Sequence, residues 1–183
     1  EIDRRLIRNK ISRLKFDLKS IEKQRTVQNH GREGAYRIAL VGYTNAGKST
    51  LMQSLTGADV LIQDQLFATL DTTTRKLSFD IGIPVLISDT VGFIRKIPHH
   101  LIASFRSTLG EIRDVDMLIK IFDVSSPNIQ DHIDTVDRVL NSLKLGDKCS
   151  LLLFNKIDKI ETSDKLEGLQ RRFSDAIFIS AEE

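Results

Sequence analysis

The stretch that decides the fold is Gly42-Tyr43-Thr44-Asn45-Ala46-Gly47-Lys48-Ser49. It follows the apolar run at residues 37–41 and matches the pattern G-x-x-x-x-G-K-[ST]. Its two glycines permit a tight turn whose main-chain N–H groups converge on phosphate oxygens, and a helix starting at the lysine would direct its positive end there. A glycine-rich turn arising by chance is the alternative, but the flanking strand and helix patterns favour a phosphate loop.

Two side chains of this loop have predicted chemical roles. Lys48 is expected to reach the β- and γ-phosphates, and the Ser49 hydroxyl is expected to ligate Mg²⁺. We include the next residue, Thr50, in the predicted nucleotide-binding set.

A second motif, Asp89-Thr90-Val91-Gly92, follows the hydrophobic run at residues 85–88. A carboxylate at a buried strand end can hold Mg²⁺, usually through water, and the Gly92 N–H can approach a γ-phosphate closely. An Asp-x-x-Gly sequence alone is a common turn. About fifty residues after a phosphate loop, it indicates the γ-phosphate end of a nucleotide site.

A third motif, Asn155-Lys156-Ile157-Asp158, selects the base. The Asp158 carboxylate can accept both the ring N–H and the amino group of guanine, whereas adenine would leave the buried charge unpaired. Lys156 would lay its methylenes along the base, and Asn155 would tie this loop to the phosphate loop. Further along, Ser180-Ala181-Glu182 would offer main-chain N–H groups to the guanine carbonyl.

Short apolar runs alternate with helical stretches from residue 36 onward. Candidate strands cover residues 37–41, 74–79, 85–88, 117–122, 150–154 and 176–179, and candidate helices begin near Lys48, His99, Ile129 and Ser163. This alternation predicts an α/β fold of the P-loop NTPase type, with a mostly parallel sheet flanked by helices on both faces. Ligands of such sheets bind at the carboxyl ends of the strands, where the motifs fall.

The N-terminal segment has a different character. Its apolar residues recur at helical spacing, at Ile7, Ile11, Leu14, Leu18 and Ile21. Residues 1–34 hold ten Lys and Arg against five Asp and Glu, a net charge of +5, whereas the remaining residues hold seventeen against twenty, a net charge of −3. We therefore predict a long basic helix and linker over residues 1–34 and a nucleotide-binding domain over residues 35–183.

Several stretches between the motifs resemble the HflX family of translational GTPases. The resemblance covers nearly the whole chain and is carried by Gly42 to Thr50, Leu66-Phe67-Ala68-Thr69-Leu70-Asp71, Asp89-Thr90-Val91-Gly92-Phe93-Ile94, Pro98-His99-His100-Leu101, Ala103-Ser104-Phe105-Arg106-Ser107-Thr108-Leu109 and Asp3-Arg4-Arg5. One departure is Thr72, where the family often has proline. The family's domain also continues into a closing helix after the position of Glu183, so we expect this chain to be part of a longer protein.

The resemblance implies a GTP-hydrolysing switch that associates with the large ribosomal subunit and splits or rescues ribosomes. It places Phe67, Ala68, Leu70 and Asp71 at the nucleotide, with Thr69 as the switch threonine that ligates Mg²⁺. It also makes ribosomal RNA the expected partner of the basic helix, whereas the charge by itself favours a solvated coiled-coil face. Sequence does not single out which of Arg4, Arg8, Lys15 and Lys19 would touch RNA.

Hydrolysis depends on positioning a water molecule, and the usual glutamine for this task is replaced by Phe93. We therefore expect slow intrinsic hydrolysis that a partner stimulates. Arg95 or His99 could supply a catalytic group. The other hypothesis is that both are solvated residues without a catalytic role. In some related GTPases an asparagine at the position of Asn45 coordinates K⁺, and the other hypothesis is that Asn45 only steadies the loop.

Composition and charge limit the remaining functions. The longest apolar runs are too short to cross a bilayer, and the single cysteine, Cys149, fits a reducing compartment. We expect GTP and GDP as ligands, and neither DNA binding nor stable membrane insertion. We also expect a monomeric, cytoplasmic protein, with peripheral membrane association as a further option. The alternative function is an RNA-binding or ribosome-assembly module whose affinity is set by guanine nucleotide with marginal hydrolysis.

Overall fold

The computed structural model describes residues 34–57, 73–77, 82–90, 92, 111–160 and 163–182. Six strands form one sheet: β1 Tyr36–Gly42, β2 Thr73–Leu77, β3 Val85–Asp89, β4 Met117–Asp123, β5 Ser150–Asn155 and β6 Ile177–Phe178. Three α-helices are described: α1 Lys48–Thr56, α2 Ile129–Ser142 and α3 Ser163–Arg172. Short 3-10 turns cover Glu111–Asp114 and Ile157–Lys159. All the strands and helices belong to one compact unit, Tyr36–Glu183.

The strand order is β2-β3-β1-β4-β5-β6. Every neighbouring pair is parallel except β2 and β3, which run antiparallel. Because the five parallel strands end at the same edge of the sheet, the residues that follow β1, β3, β4, β5 and β6 meet there. The predicted α/β class and mostly parallel sheet are confirmed.

Alternating side chains of the sheet pack on two opposite layers. Leu118 and Phe122 of β4 belong to the core layer that contains Val136 of α2, whereas Ile119 and Ile121 belong to the layer that contains α1. This alternation is the two-residue period of a strand buried on both faces. Helices therefore cover both faces, as the sequence predicted.

The predicted element bounds hold to within about two residues wherever the structure describes them. The predicted starts at Lys48, Ile129 and Ser163 coincide with the first residues of α1, α2 and α3. β6 is shorter than the predicted 176–179, and β2 is described over Thr73–Leu77, with the end of its predicted span at Phe79 outside the described residues. The helix predicted near His99 and the basic helix over residues 1–34 lie outside the described residues, so the division at residue 34 stays a prediction.

No helix in the described part of the chain combines the length and the apolar character that a membrane crossing needs.

Candidate nucleotide-binding site

The phosphate loop connects the end of β1 at Gly42 to the start of α1 at Lys48. Gly47 has φ +90°, and a Cβ built on it would stand 2.1 Å from Nδ2 of Asn155. A Cβ on Gly42 would stand 2.3 Å from the main-chain oxygen of Ile121 on the neighbouring strand. Both positions therefore require glycine. Gly47 needs it for its positive φ and its close approach to Asn155, and Gly42 needs it for its close packing on the neighbouring strand.

Lys48 lies almost fully buried in the first turn of α1. Its Nζ donates a 3.0 Å hydrogen bond to the main-chain oxygen of Tyr43, so the side chain folds back over the loop. Burial lowers the pKa of Lys48 to about 8, and the charge of Asp89 opposes that shift only in part. A buried ammonium that is poorly solvated is strongly stabilised when an anion binds next to it.

Ser49 and Asp89 come together at the ends of α1 and β3. The Ser49 hydroxyl donates a 2.6 Å hydrogen bond to Oδ2 of Asp89, whose residue is 1% exposed. These are the two described residues predicted to hold Mg²⁺. A hydroxyl and a carboxylate are hard oxygen ligands of the kind Mg²⁺ prefers beside phosphate oxygens, so the donor set fits the ion. The third predicted ligand, Thr69, lies outside the described residues.

Gly92 lies directly against the phosphate loop. A Cβ on Gly92 would stand 2.8 Å from both Cα and Cγ2 of Thr44 and 3.0 Å from Nζ of Lys48. The neighbouring Thr90 is buried, and its hydroxyl donates a 2.6 Å hydrogen bond to the main-chain oxygen of Leu40. The structure thus joins the second motif to the first, with Thr90 serving as an anchor to β1.

Asn155 joins three parts of the site. Its Nδ2 donates to the main-chain oxygen of Ala46 at 3.0 Å, which is the tie to the phosphate loop expected from the sequence. Its Oδ1 accepts the Ala181 N–H at 3.0 Å. The Ala181 N–H, expected to face a guanine carbonyl, is therefore engaged by Asn155 in this structure. The role of Ser180 and Glu182 stays a prediction.

Lys156 crosses from the third motif to the phosphate loop. Its Nζ donates to the main-chain oxygen of Asn45 at 2.8 Å and lies 2.9 Å from Oδ2 of Asp123. Asp158 follows in the 3-10 turn and is exposed. Ile157 anchors this turn, since its N–H donates to the main-chain oxygen of Ile179 after β6.

The structure adds two residues that sequence reasoning missed. Asp123 pairs with Lys156, and His132 of α2 stacks on Tyr43 of the phosphate loop with ring centroids 3.8 Å apart and planes 10° apart. Neither lies in a recognised motif. The signal for Asp123 is its place as the last residue of β4, beside Asn155 at the end of β5.

Burial affects these two side chains in different ways. Burial lowers the pKa of His132, against the opposing charges of Asp123 and Asp131. Burial would raise the pKa of Asp123, but hydrogen bonds from Ser125 and Lys156, together with the Lys156 charge, outweigh it and hold that pKa below its usual value. Next to the phosphate loop, Asp123 is thus a stable carboxylate and His132 a neutral ring at pH 7.

The predicted residues that the structure does not describe are Phe67, Ala68, Thr69, Leu70, Asp71 and Val91. Thr50 is described and half-buried on α1, and its main-chain oxygen accepts the Ser54 hydroxyl. No group of three or more His, Cys, Asp or Glu side chains suited to a metal occurs among residues 34–57, 73–77, 82–90, 92, 111–160 and 163–182.

Known proteins are similar to this chain in sequence. Residues 37–156 match the family described as 50S ribosome-binding GTPase. A GTPase HflX of Flavobacterium psychrophilum is 49% identical over 158 residues, which is 86% of this chain and 38% of that protein. A GTPase HflX of Magnetococcus marinus is 45% identical over 184 residues, which is 100% of this chain and 42% of that protein. The chain spans about two fifths of the length of these curated relatives.

Among solved structures, a GTP-binding protein from the hyperthermophilic archaeon Sulfolobus solfataricus in complex with GDP is similar. The two share 28% sequence identity with a TM-score of 0.62, over 93% of this chain and 58% of that one. With the family match over most of its length and relatives of the same name, this chain belongs to the 50S ribosome-binding GTPase family and, within it, to the HflX GTPases.

Proposed function

We propose that this chain binds GTP with Mg²⁺ at the carboxyl ends of β1, β3 and β5 and hydrolyses it to GDP and phosphate. The observation that carries the proposal is the bridge made by Asn155 between Ala46 and Ala181. One buried side chain fixes the phosphate loop relative to the segments that follow β5 and β6. The phosphate and base ends of a nucleotide would therefore meet a preformed site, which lowers the ordering cost of binding.

At the base end, Asp158 supplies the selectivity. Its carboxylate accepts two guanine N–H groups, and adenine lacks that donor pair. Sites that hydrogen-bond a ligand group discriminate against analogues lacking it by up to about 10⁴-fold. Lys156, anchored at its ammonium by two partners, provides methylenes for one face of the base.

At the phosphate end, the chain supplies fixed positive charge. The main-chain N–H groups of the phosphate loop, the Lys48 ammonium and the N-terminal end of α1 would together face the bound phosphates. Bound Mg²⁺ would add positive charge against the β- and γ-phosphate oxygens, held by Ser49 directly and by Asp89 through water. Gly92 would bring its N–H to the γ-phosphate, because only a residue without Cβ fits against Thr44.

Phe93 sets the expected rate. The side chain after Gly92 has no hydrogen-bonding group, so it cannot orient the attacking water. We expect slow intrinsic turnover that a partner stimulates, and Thr69 would be a ligand of bound Mg²⁺. GTP binding would order the loops around Thr69 and Gly92, and hydrolysis would release them.

The partner we propose is the large ribosomal subunit, in the cytoplasm. The description of the matching family, 50S ribosome-binding GTPase, and the names of the relatives support this choice. Splitting or rescue of ribosomes is the finer form of the proposal, and it rests on the resemblance to HflX GTPases.

GTP turnover with and without purified large ribosomal subunits tests the proposal. Released phosphate is followed under single-turnover conditions, with a Lys48→Ala variant as the blank for contaminating activity. A rise of about tenfold or more, on the order of 1.4 kcal/mol off the barrier, is expected. If large ribosomal subunits do not change the rate of GTP turnover, the proposal that the ribosome is the activating partner is contradicted. Tight subunit binding without stimulation favours the alternative of an RNA-binding module set by guanine nucleotide.

A further inference from the structure

Asp123 belongs to no recognised motif, yet it contacts Lys156 of the third motif. It is the last residue of β4 and pairs in register with Asn155, the last residue of β5. Adjacent parallel strands place their ends side by side, so the Asp123 carboxylate reaches the next residue, Lys156. The separation of Asp123 Oδ2 and Lys156 Nζ is 2.9 Å, and both side chains are mostly buried, at 19% and 14% exposed.

The two oxygens of Asp123 have separate partners. Oδ1 accepts hydrogen bonds from the main-chain N–H of Ser125 at 2.8 Å and from the Ser125 hydroxyl. These bonds fix the carboxylate plane and leave Oδ2 directed at the Lys156 ammonium. A carboxylate oriented in this way can hold one ammonium position, which an unconstrained surface carboxylate cannot.

The Lys156 ammonium is then tied to the phosphate loop. It donates to the main-chain oxygen of Asn45 at 2.8 Å. Lys156 has φ +64° and Asn45 has φ +60°, a left-handed conformation that non-glycine residues rarely adopt. Such residues persist where the surroundings hold them, and here a hydrogen bond from the Lys156 ammonium to the Asn45 main-chain oxygen joins the two.

A lysine side chain loses rotamer entropy, at a cost in free energy, when it is held in one conformation. If Lys156 were free, a bound base would have to immobilise it at that cost. With the ammonium held by Asp123 and Asn45, the methylenes are already in place when a base arrives. The Lys156 side chain then loses its conformational entropy when the protein folds, and not when the nucleotide binds.

We propose that Asp123 is a positioning residue for guanine-nucleotide binding, which holds the Lys156 ammonium on the phosphate loop so that the lysine methylenes form a preset wall of the base site. This inference rests on the proposed function. A purely structural tie between β4 and the segment after β5 would use the same ion pair, so the test separates the two roles.

The test is a double-variant cycle read out as the GDP dissociation constant by calorimetry. The proteins are the parent, Asp123→Asn, Lys156→Met and the combined variant. Asp137→Asn is the matched control, because it removes an ion pair to Lys120 on the same strand, at 3.0 Å. We expect Asp123→Asn to weaken GDP binding about tenfold, the control to bind as the parent does, and the combined variant to bind no more weakly than Lys156→Met.

Two results would overturn the inference: parent-like GDP binding by Asp123→Asn, or an undiminished loss from Asp123→Asn in the Lys156→Met background. A parent protein that binds ADP as tightly as GDP would instead overturn the proposed function. Circular dichroism verifies folding of each variant. If Asp123→Asn is unfolded, Ser125→Ala replaces it, because that variant loosens the carboxylate while keeping its charge. About threefold weaker GDP binding is then expected only with Lys156 present, and parent-like binding would overturn the inference.

Discussion

The Ser49 hydroxyl donates a 2.6 Å hydrogen bond to Oδ2 of Asp89, joining the first turn of α1 to the end of β3 across 40 positions of sequence. Two motifs recognised separately in the sequence thus converge on one point. That point lies beside Lys48, whose pKa is raised by the Asp89 charge and lowered more strongly by burial. Ser49 and Asp89, two of the three residues predicted to hold Mg²⁺, are therefore already adjacent.

Replacing Ser49 by alanine is expected to remove the Mg²⁺ dependence of GTP binding. The parent should bind GTP about tenfold or more weakly once EDTA removes Mg²⁺, because the ion neutralises phosphate charge. Ser49→Ala should bind weakly with or without EDTA. Ser142→Ala, which makes the same change on α2, is the control and should keep the parent's Mg²⁺ dependence. A Ser49→Ala protein that still responds fully to EDTA would argue against this ligand.

Lys48→Met is expected to stabilise the nucleotide-free protein while abolishing phosphate binding. The folded-state pKa of about 8 lies below the ordinary 10.5, so the unfolded chain binds more protons between these values. The free energy of unfolding of the parent therefore rises with pH from about 8 to 10.5, and at neutral pH the buried ammonium destabilises the fold. Denaturant unfolding at pH 7 should show a gain of about 1–3 kcal/mol for the variant.

The same experiment supplies its own check. Above pH 10.5 the advantage of Lys48→Met over the parent should shrink, because Lys48 is neutral in both the folded and the unfolded parent. An advantage that stays constant from pH 7 to 10.5 would mean that the ammonium is not the source of the effect.

Two glycine-to-alanine substitutions are expected to change the free energy of unfolding in opposite directions. Gly47→Ala places a Cβ 2.1 Å from Asn155 Nδ2 at φ +90°, and should lower the free energy of unfolding by about 2–4 kcal/mol. Gly168→Ala in α3 meets nothing within 4 Å and should raise it by about 0.5–1 kcal/mol. Urea titrations of both variants measure the difference. Equal effects would show that the phosphate loop is not packed against Asn155 as described.

His132 is expected to make stability depend on pH in the weakly acidic range. Its pKa is below the ordinary 6.5 because of burial, so the unfolded chain takes up a proton first as the pH falls. The free energy of unfolding should therefore fall from pH 6.5 downward until the folded-state pKa is passed. His132→Phe keeps a ring against Tyr43 without a titrating group, and its stability should fall less over that interval. Identical slopes for the two proteins would contradict this assignment.

Sequence reasoning worked best where chemistry and periodicity coincide. Lys48 begins a helix as predicted, because the phosphate-loop pattern implies both the loop and the helix after it. Asn155 ends a strand and reaches Ala46, as its motif implied. By contrast, the contacts of Asp123 with Lys156 and of His132 with Tyr43 depend on which strands are neighbours and where α2 packs. A single sequence does not reveal which strands pair or where α2 packs.

Some conclusions still rest on the resemblance. Thr69 and the residues beside it lie outside the described part of the chain, and their chemistry follows no pattern that separates Thr69 from Thr72, Thr73 or Thr74. Only Thr73 and Thr74 are described, and both belong to β2, where the Thr74 hydroxyl lies 2.9 Å from that of Ser88. Thr69 as the switch threonine therefore stays a prediction.

The most direct test of the central claim, a site selective for guanine, is competition between GDP and xanthosine diphosphate in the parent and in Asp158→Asn. Xanthine carries an oxygen in place of the guanine amino group, which suits an asparagine amide and not a carboxylate. The account predicts that the parent prefers GDP by about 100-fold or more and that Asp158→Asn reverses the preference. An unchanged preference in Asp158→Asn would contradict it, because the base would then be read by some other part of the chain.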